Sequence, residues 1–232
     1  MIELAPEKVN CMHRTIFERE LQQIQDDVLD LGSMTENAIE RAVDALIRRD
    51  VILAKDVIEN DQEINAKRFA IEDACIEVMA TQQPLATDLR IIVAVLNIIS
   101  DLERMADHAE GIGRIALLMV GEMQGQDFGL IPEMALKARA MLHDSLTAFV
   151  ERDVSAAREV CVRDDEVDAL YDTVYAVTIN KMIGDPGAIT PLTYHLWTAH
   201  NLERIADRAT NISERVVFLV TGHMDELNVS RY

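Results

Sequence analysis

From Leu21 the positions Ile24, Val28, Leu31, Thr35, Ala38, Ala42 and Ala45 succeed one another at alternating steps of three and four. This spacing predicts one long amphipathic helix, and its seam tapers from large to small side chains so that a neighbour can approach closely at the far end. Asp50 then stands where an N-cap belongs. A second helix is predicted from Val51 to about Thr81, with Val57, Ile64, Ile71 and Val78 spaced by sevens. Gln82 to Thr87, with Pro84 inside it, makes the next break. A third helix, from about Asp88 to Val120, carries Ile91, Val95, Ile98, Leu102, Met105, Ala109, Ile112 and Ala116 on another unbroken seam.

The pattern then repeats. Gly121 to Ile131 holds three of the nine glycines and no heptad, and reads as a linker. Pro132 suits the first turn of a fourth helix reaching about Arg152, and a fifth begins after Asp153. GDPG at 184–187 marks a turn before a sixth helix from about Thr190 to Val220. The stretch Asp50–Asn65 aligns with Asp153–Asp168 at an offset of 103 residues. The expected fold is therefore all-α, two tandem three-helix bundles at 14–120 and 132–222 made by internal duplication. Residues 1–13 show no periodicity and read as a loose tail.

One motif is said twice. DLERMADHA (Asp101–Ala109) returns as NLERIADRA (Asn201–Ala209), so Glu103, Arg104 and Asp107 recur as Glu203, Arg204 and Asp207 at an offset of 100. The smaller offset places a three-residue loss near the GDPG turn. Acids four apart stack on one helix face, and their position beside Leu102, Met105 and Ala109 turns them outward from the seam. In an antiparallel hairpin of the second and third helices, Asp61 sits level with Asp107 and Asn65 with Glu103. The same construction in the second half levels Asp164 with Asp207 and Asp168 with Glu203. Two oxygen-bearing residues thus face each acidic pair.

Carboxylates gathered on one surface repel unless a cation intervenes. An oxygen set without Cys suits hard or borderline ions such as Mg, Mn, Ca, Fe or Zn. Arg104 and Arg204 could instead neutralise the acids as ordinary ion pairs. Asn211, four beyond Asp207, adds a donor to the second row, whereas the first half has Gly111 there with Glu110 beside it. The two sites are therefore expected to differ in affinity or nuclearity. His108 is matched by Arg208 in the repeat, and His195 and His200 are not spaced as a ligand pair.

The formal charge of −19 argues against nucleic acid and fits cations, a basic protein surface or simple solubility. Cys11, Cys75 and Cys161 form no CxxC pair, which points to a reducing compartment. MIELAPEKVN lacks the features of a signal peptide, and Ile91–Ile99 is too short to span a bilayer. A soluble cytoplasmic chain is expected, touching membrane only through partners. No HExxH, Walker A, GxGxxG or GxSxG occurs, so no catalytic site is expected. A di-metal bundle oxidase would need inward Glu-x-x-His sets, which are missing. A metal-free scaffold docking a basic partner by charge remains the competing reading.

FERELQQIQDDVLDLG (Phe17–Gly32), QQPLATDLR (Gln82–Arg90) and the doubled LERMADHA and LERIADRA resemble the PhoU family of phosphate-transport accessory proteins. The resemblance covers essentially the whole chain in order. It implies a cytoplasmic regulator, usually dimeric, that represses the phosphate-starvation response. It also implies two partners, the ATPase subunit of the phosphate ABC transporter and a membrane sensor histidine kinase. Some members bind multinuclear metal clusters, of divalent or iron-type ions, through paired E(D)xxxD motifs. On this chain those motifs correspond to Asp61 with Asn65, Glu103 with Asp107, Asp164 with Asp168, and Glu203 with Asp207. Asn65 and Gly111 depart from the fuller acidic or amide pattern.

Overall fold

The computed structural model describes residues 6–120, 128–224 and 227. Six helices run in order: α1 Pro6–Arg48, α2 Val51–Gln82, α3 Thr87–Leu118, α4 Ile131–Glu151, α5 Val154–Gly184 and α6 Ile189–Thr221. A short 3-10 turn, Pro186–Ala188, joins the last two, and no strand occurs among the described residues. Five of the helices begin and end within two residues of the expected places. The first does not: α1 starts at Pro6 rather than after residue 13, because proline fits a first helical turn and no glycine or further proline stands between it and Gly32. Most of the expected linker, 121–127, lies outside the described residues.

The duplication shows first in the caps. The Asp50 carboxylate accepts from the N–H groups of Ile52 and Leu53, and Asp153 accepts from those of Ser155 and Ala156. Each satisfies backbone donors that the first turn would otherwise leave without partners. Arg49 and Arg152, just before these aspartates, both take left-handed backbone angles, which closes the preceding helix.

The expected seams are the core. All eight α3 seam residues are buried, as are Val57, Ile64, Ile71 and Val78 of α2. On α1 the seam holds except at Ala38, which is half-buried while Ile39 takes the inward place. Beyond it Val43 and Leu46 are buried alongside Ala42 and Ala45, so the buried stripe widens forward by one residue, the direction in which a straight α-helix drifts by about 20° per heptad relative to a strict 3.5-residue repeat.

The halves do not sit as separate bundles on a tether. Helices α3 and α6 pack against each other antiparallel, α1 touches α4, and a single apolar core runs through both halves. Because α3 meets α1, α2 and α6, it buries a second row, Ile92, Ile99, Ala106 and Gly113, beside its seam. A Cβ at Gly113 would lie 3.3 Å from the Ala54 carbonyl oxygen, so glycine there permits the close approach of α2.

Candidate metal centre

Helices α2 and α3 bring the first acidic set together. Burial pushes the Asp61 carboxyl above the ordinary range, and Asp107, Glu110 and Glu103 push it further, in that order. Asn65 works against this by donating to Asp61 Oδ2 at 2.7 Å. Glu103 is also raised, by burial and then by Asp107, and is relieved by Arg68 and Arg104. Asp107, the exposed member, is raised by burial and Glu110 and relieved by His108 and Arg104. Asp61 thus faces the α3 acids, Asp107 foremost, as expected, and Asn65 stands beside it as a hydrogen-bond donor.

Glu110 belongs to this set too. It lies three residues after Asp107, a spacing that keeps both on one helix face. Arg114 holds it at 2.5 Å. Four carboxylates thus occupy the first face, with Glu110 supplying the acid that Asn65 does not.

The second set lies between α5 and α6. Glu203 has its carboxyl raised to about 7, by burial first and then by Asp207, with Asp168 and Asp164 adding to it and Arg204 opposing. Its side chain is 14% exposed, and His200 Nδ1 lies 3.4 Å from Oε2. Arg204 Nη1 holds Asp207 Oδ2 directly. Asp168 is half-buried, whereas Asp164 is only 2% exposed and stands on the inward seam of α5 between Val160, Cys161 and Val167. The outward placement expected for the acids thus does not extend to Asp164, whose helix turns it toward α6.

Asn211 does not extend this row. Its amide donates to Asp101 Oδ1 at 3.3 Å, as does Arg208 at the same distance, across the α3–α6 contact. The repeat of this arrangement runs the other way: Asn201 Oδ1 meets His108 Nδ1 at 2.9 Å. Because the Asn201 amide nitrogen donates to the Trp197 carbonyl, its oxygen faces His108, and the imidazole must carry its proton on Nδ1. The absence of an amide at 111 has a steric reason, since a Cβ on Gly111 would lie 3.3 Å from Asn201 Oδ1. Burial lowers the His108 pKa, and Arg204, Arg208 and His200 lower it further against the Asn201 bond. This polar layer was not foreseen, although Asp101 and Asn201 are repeat partners directly beside the seam residues Leu102 and Leu202.

The chemistry of both faces suits a cation held by oxygen. Asp61 Oδ1 and Glu203 Oε2, one on each face, are shielded from solvent and have no hydrogen-bond partner. A buried carboxylate oxygen without a donor is costly, and a cation would satisfy it. As the side chains stand, no three His, Cys, Asp or Glu residues among those described converge closely enough to hold a metal ion. A bound cation would require side chains such as Asp61 and Asp207 to leave their present partners.

A sequence model of the PhoU domain matches residues 28–116 and 131–216, one segment in each half. A phosphate-specific transport system accessory protein PhoU homolog from Clostridium acetobutylicum is 38% identical, over 94% of this chain and 100% of its own length. The accessory protein PhoU of Escherichia coli is 33% identical over 89% of this chain and 86% of its own. Among solved structures, PhoU from Pseudomonas aeruginosa superposes with a TM-score of 0.86 at 33% identity, covering 89% of this chain and 100% of that one. The phosphate transport system regulatory protein PhoU from Streptococcus pneumoniae gives 0.82 at 32% identity, covering 90% and 99%.

Proposed function

The chain belongs to the PhoU family, and on that premise we propose that it is an accessory and regulatory protein of a phosphate-specific transport system. Its finer role is to report transporter state by bridging the transporter's ATPase subunit to a sensor histidine kinase and repressing the phosphate-starvation response. It works in the cytoplasm, as a homodimer, and carries out no covalent chemistry. No described helix is long and apolar enough to cross a membrane, and contact with the membrane runs through its partners.

The observation that carries this reading is the doubled carboxylate face, with one shielded oxygen that lacks a hydrogen bond in each copy, the one on Glu203 lying 3.4 Å from His200 Nδ1. Asp61, Glu103, Asp107 and Glu110 would hold cations on one face, and Asp164, Asp168, Glu203 and Asp207 on the other. A bound cation would supply positive charge that removes the mutual repulsion of these groups and fixes the α2–α3 and α5–α6 surfaces in one shape for a partner. A competing reading has support in the charge of −19: the same faces dock a basic partner without metal.

Co-purification with the ATPase subunit, with and without chelator and at two salt concentrations, separates the two. Loss of the complex on chelation, restored by adding metal, supports the cation reading. Loss on raising salt with no effect of chelator supports docking by charge. Retention of a histidine kinase in the same assembly tests the bridging role.

A further inference from the structure

A groove between α1 and α2 leaves about 320 Å³ free, lined by Met34, Ala38 and Arg41 from one helix and Asn60, Glu63 and Ile64 from the other. It lies on a different side of α2 from the acidic face, since Asp61 looks to α3. Its floor is apolar, and Glu63 is exposed at its rim.

The repeat supplies an internal comparison. The offset of 103 residues carries α1 onto α4 as well, because the two helices end at corresponding residues, Arg48 and Glu151, and bury corresponding ones, Ile39 with Leu142 and Leu46 with Phe149. Met34 then matches Lys137, Ala38 matches Met141, Arg41 matches Asp144, Asn60 matches Arg163, and Glu63 matches Glu166. In the second half two ion pairs close the helix contact: Lys137 Nζ lies 2.6 Å from Glu166 Oε2, and Arg163 Nη2 lies 2.7 Å from Asp144 Oδ2. Met141, one turn after Lys137, is buried.

The first half has none of this closure. Met34 and Asn60 carry no charge, and Ala38 is too small to do what Met141 does. Arg41 is drawn instead to Asp56, seven residues before Glu63 and so about 10 Å from it along α2. Glu63 is retained, but among the described residues no ion pair joins it to a cation. Exposed ion pairs add little stability, so losing both costs the fold little and opens a surface.

We propose that the α1–α2 groove docks an amphipathic helix of a partner protein, one that presents a lysine or arginine and a large aliphatic side chain four residues apart. The second half shows what fits. Lys137 and Met141 stand at i and i+4 on one helix face, the first on Glu166 and the second in the core. Helices enter apolar grooves through anchors at this spacing. Charge selects a basic helix: the chain carries −19, Arg41 is already neutralised by Asp56, and Glu63 fixes the register of the incoming cation. The flexible thioether of Met34 adapts the floor to the guest. The site is independent of the carboxylate faces and of any metal they hold.

The test uses the full chain and a fluorescein-labelled helical peptide of roughly 20 residues, long enough to hold its helix, with Lys-x-x-x-Met pairs repeated along one face. Anisotropy titration is expected to give a Kd of about 10–100 µM, weakened about tenfold by Glu63→Gln and less than about twofold by Glu166→Gln. A peptide with glutamate in place of each lysine should bind at least about tenfold more weakly. Met34→Lys/Ala38→Met gives the first half the filling of the second. It should abolish binding while thermal melts show a Tm at or above that of wild type.

Binding that survives both Glu63→Gln and the closed variant overturns the proposal, and so does absence of binding to wild type. Sedimentation of wild type and the closed variant examines the other occupant. A dimer lost on closing the groove would put a second copy of this chain there and overturn the assignment to a partner helix.

Discussion

The two acidic faces have the same number of carboxylates and different electrostatics. On the first, the acids spread over Asp61, Glu103, Asp107 and Glu110, with Asn65 donating into the group. On the second, Asp168 replaces the amide, Thr210 replaces Glu110, and Asp164 is drawn into the core seam. Burial adds to repulsion most strongly at one residue. Glu203 is raised to about 7 by burial first and then by Asp207, Asp168 and Asp164, while Asp61 on the first face is raised by burial and three acids but relieved by Asn65. Duplication preserved the placement of the acids, and a few substitutions decided how hard each face resists being charged.

The largest expected effect lies between the faces, where the halves meet. Asp101→Ala leaves the half-buried Arg208 and Asn211 without their shared acceptor, and should cost about 2–3 kcal/mol in urea unfolding. His108→Ala, which breaks the repeat-related contact to Asn201, removes a neutral hydrogen bond and should cost about 1 kcal/mol. Equal losses from the two would contradict the charged-versus-neutral contrast across this layer.

Next comes Glu203. Its folded pKa of about 7 exceeds its unfolded value, so the folded state disfavours the charged form. Stability from this group is therefore full below the unfolded carboxyl range, falls as pH rises from there through about 7, and stays low above. Glu203→Gln should stabilise the metal-free protein by about 2 kcal/mol at pH 8 and change little at pH 4, while Glu103→Gln gains less. A destabilised Glu203→Gln at pH 8 would remove the contrast. By the same linkage, cation binding at this face releases protons near neutral pH, which calorimetry in two buffers of different ionisation enthalpy reads out.

Asn65→Asp gives the first face the α2 acid that the second face has on α5. It exchanges a donor for a like charge beside Asp61, and should cost about 1 kcal/mol without metal while strengthening cation binding, read by urea unfolding and Mn²⁺ titration. The smallest contrast is between the caps. Asp50→Ala and Asp153→Ala should each cost about 1 kcal/mol and differ little in thermal melts, since the two caps make matching bonds.

Six helices, their seams and both caps were legible because periodicity and capping are local signals. The facing of Asp61 to Asp107 and of Asp168 to Glu203 was legible because an antiparallel hairpin fixes which residues sit level, whereas Asp164, expected level with Asp207, also acts on Glu203. The α3–α6 contact was not. It joins elements about 100 residues apart, and the buried rows of α3 carry no mark of which of its several neighbours each one meets. Asn211 misled for the same reason: i+4 spacing from Asp207 ignores that α3 lies close enough for Asp101 to engage it. Glu110 carried a signal in its i+3 spacing from Asp107, which four-residue spacing alone does not reveal.

The most direct measurement is a metal count on the untagged protein after dialysis against each common divalent ion, for wild type and for Glu203→Ala/Asp207→Ala. Stoichiometric metal in wild type, with the α6 share lost from the double variant and the α3 share kept, is the predicted result. No bound metal in either protein would contradict the account and leave the doubled carboxylates as docking surfaces for a basic partner.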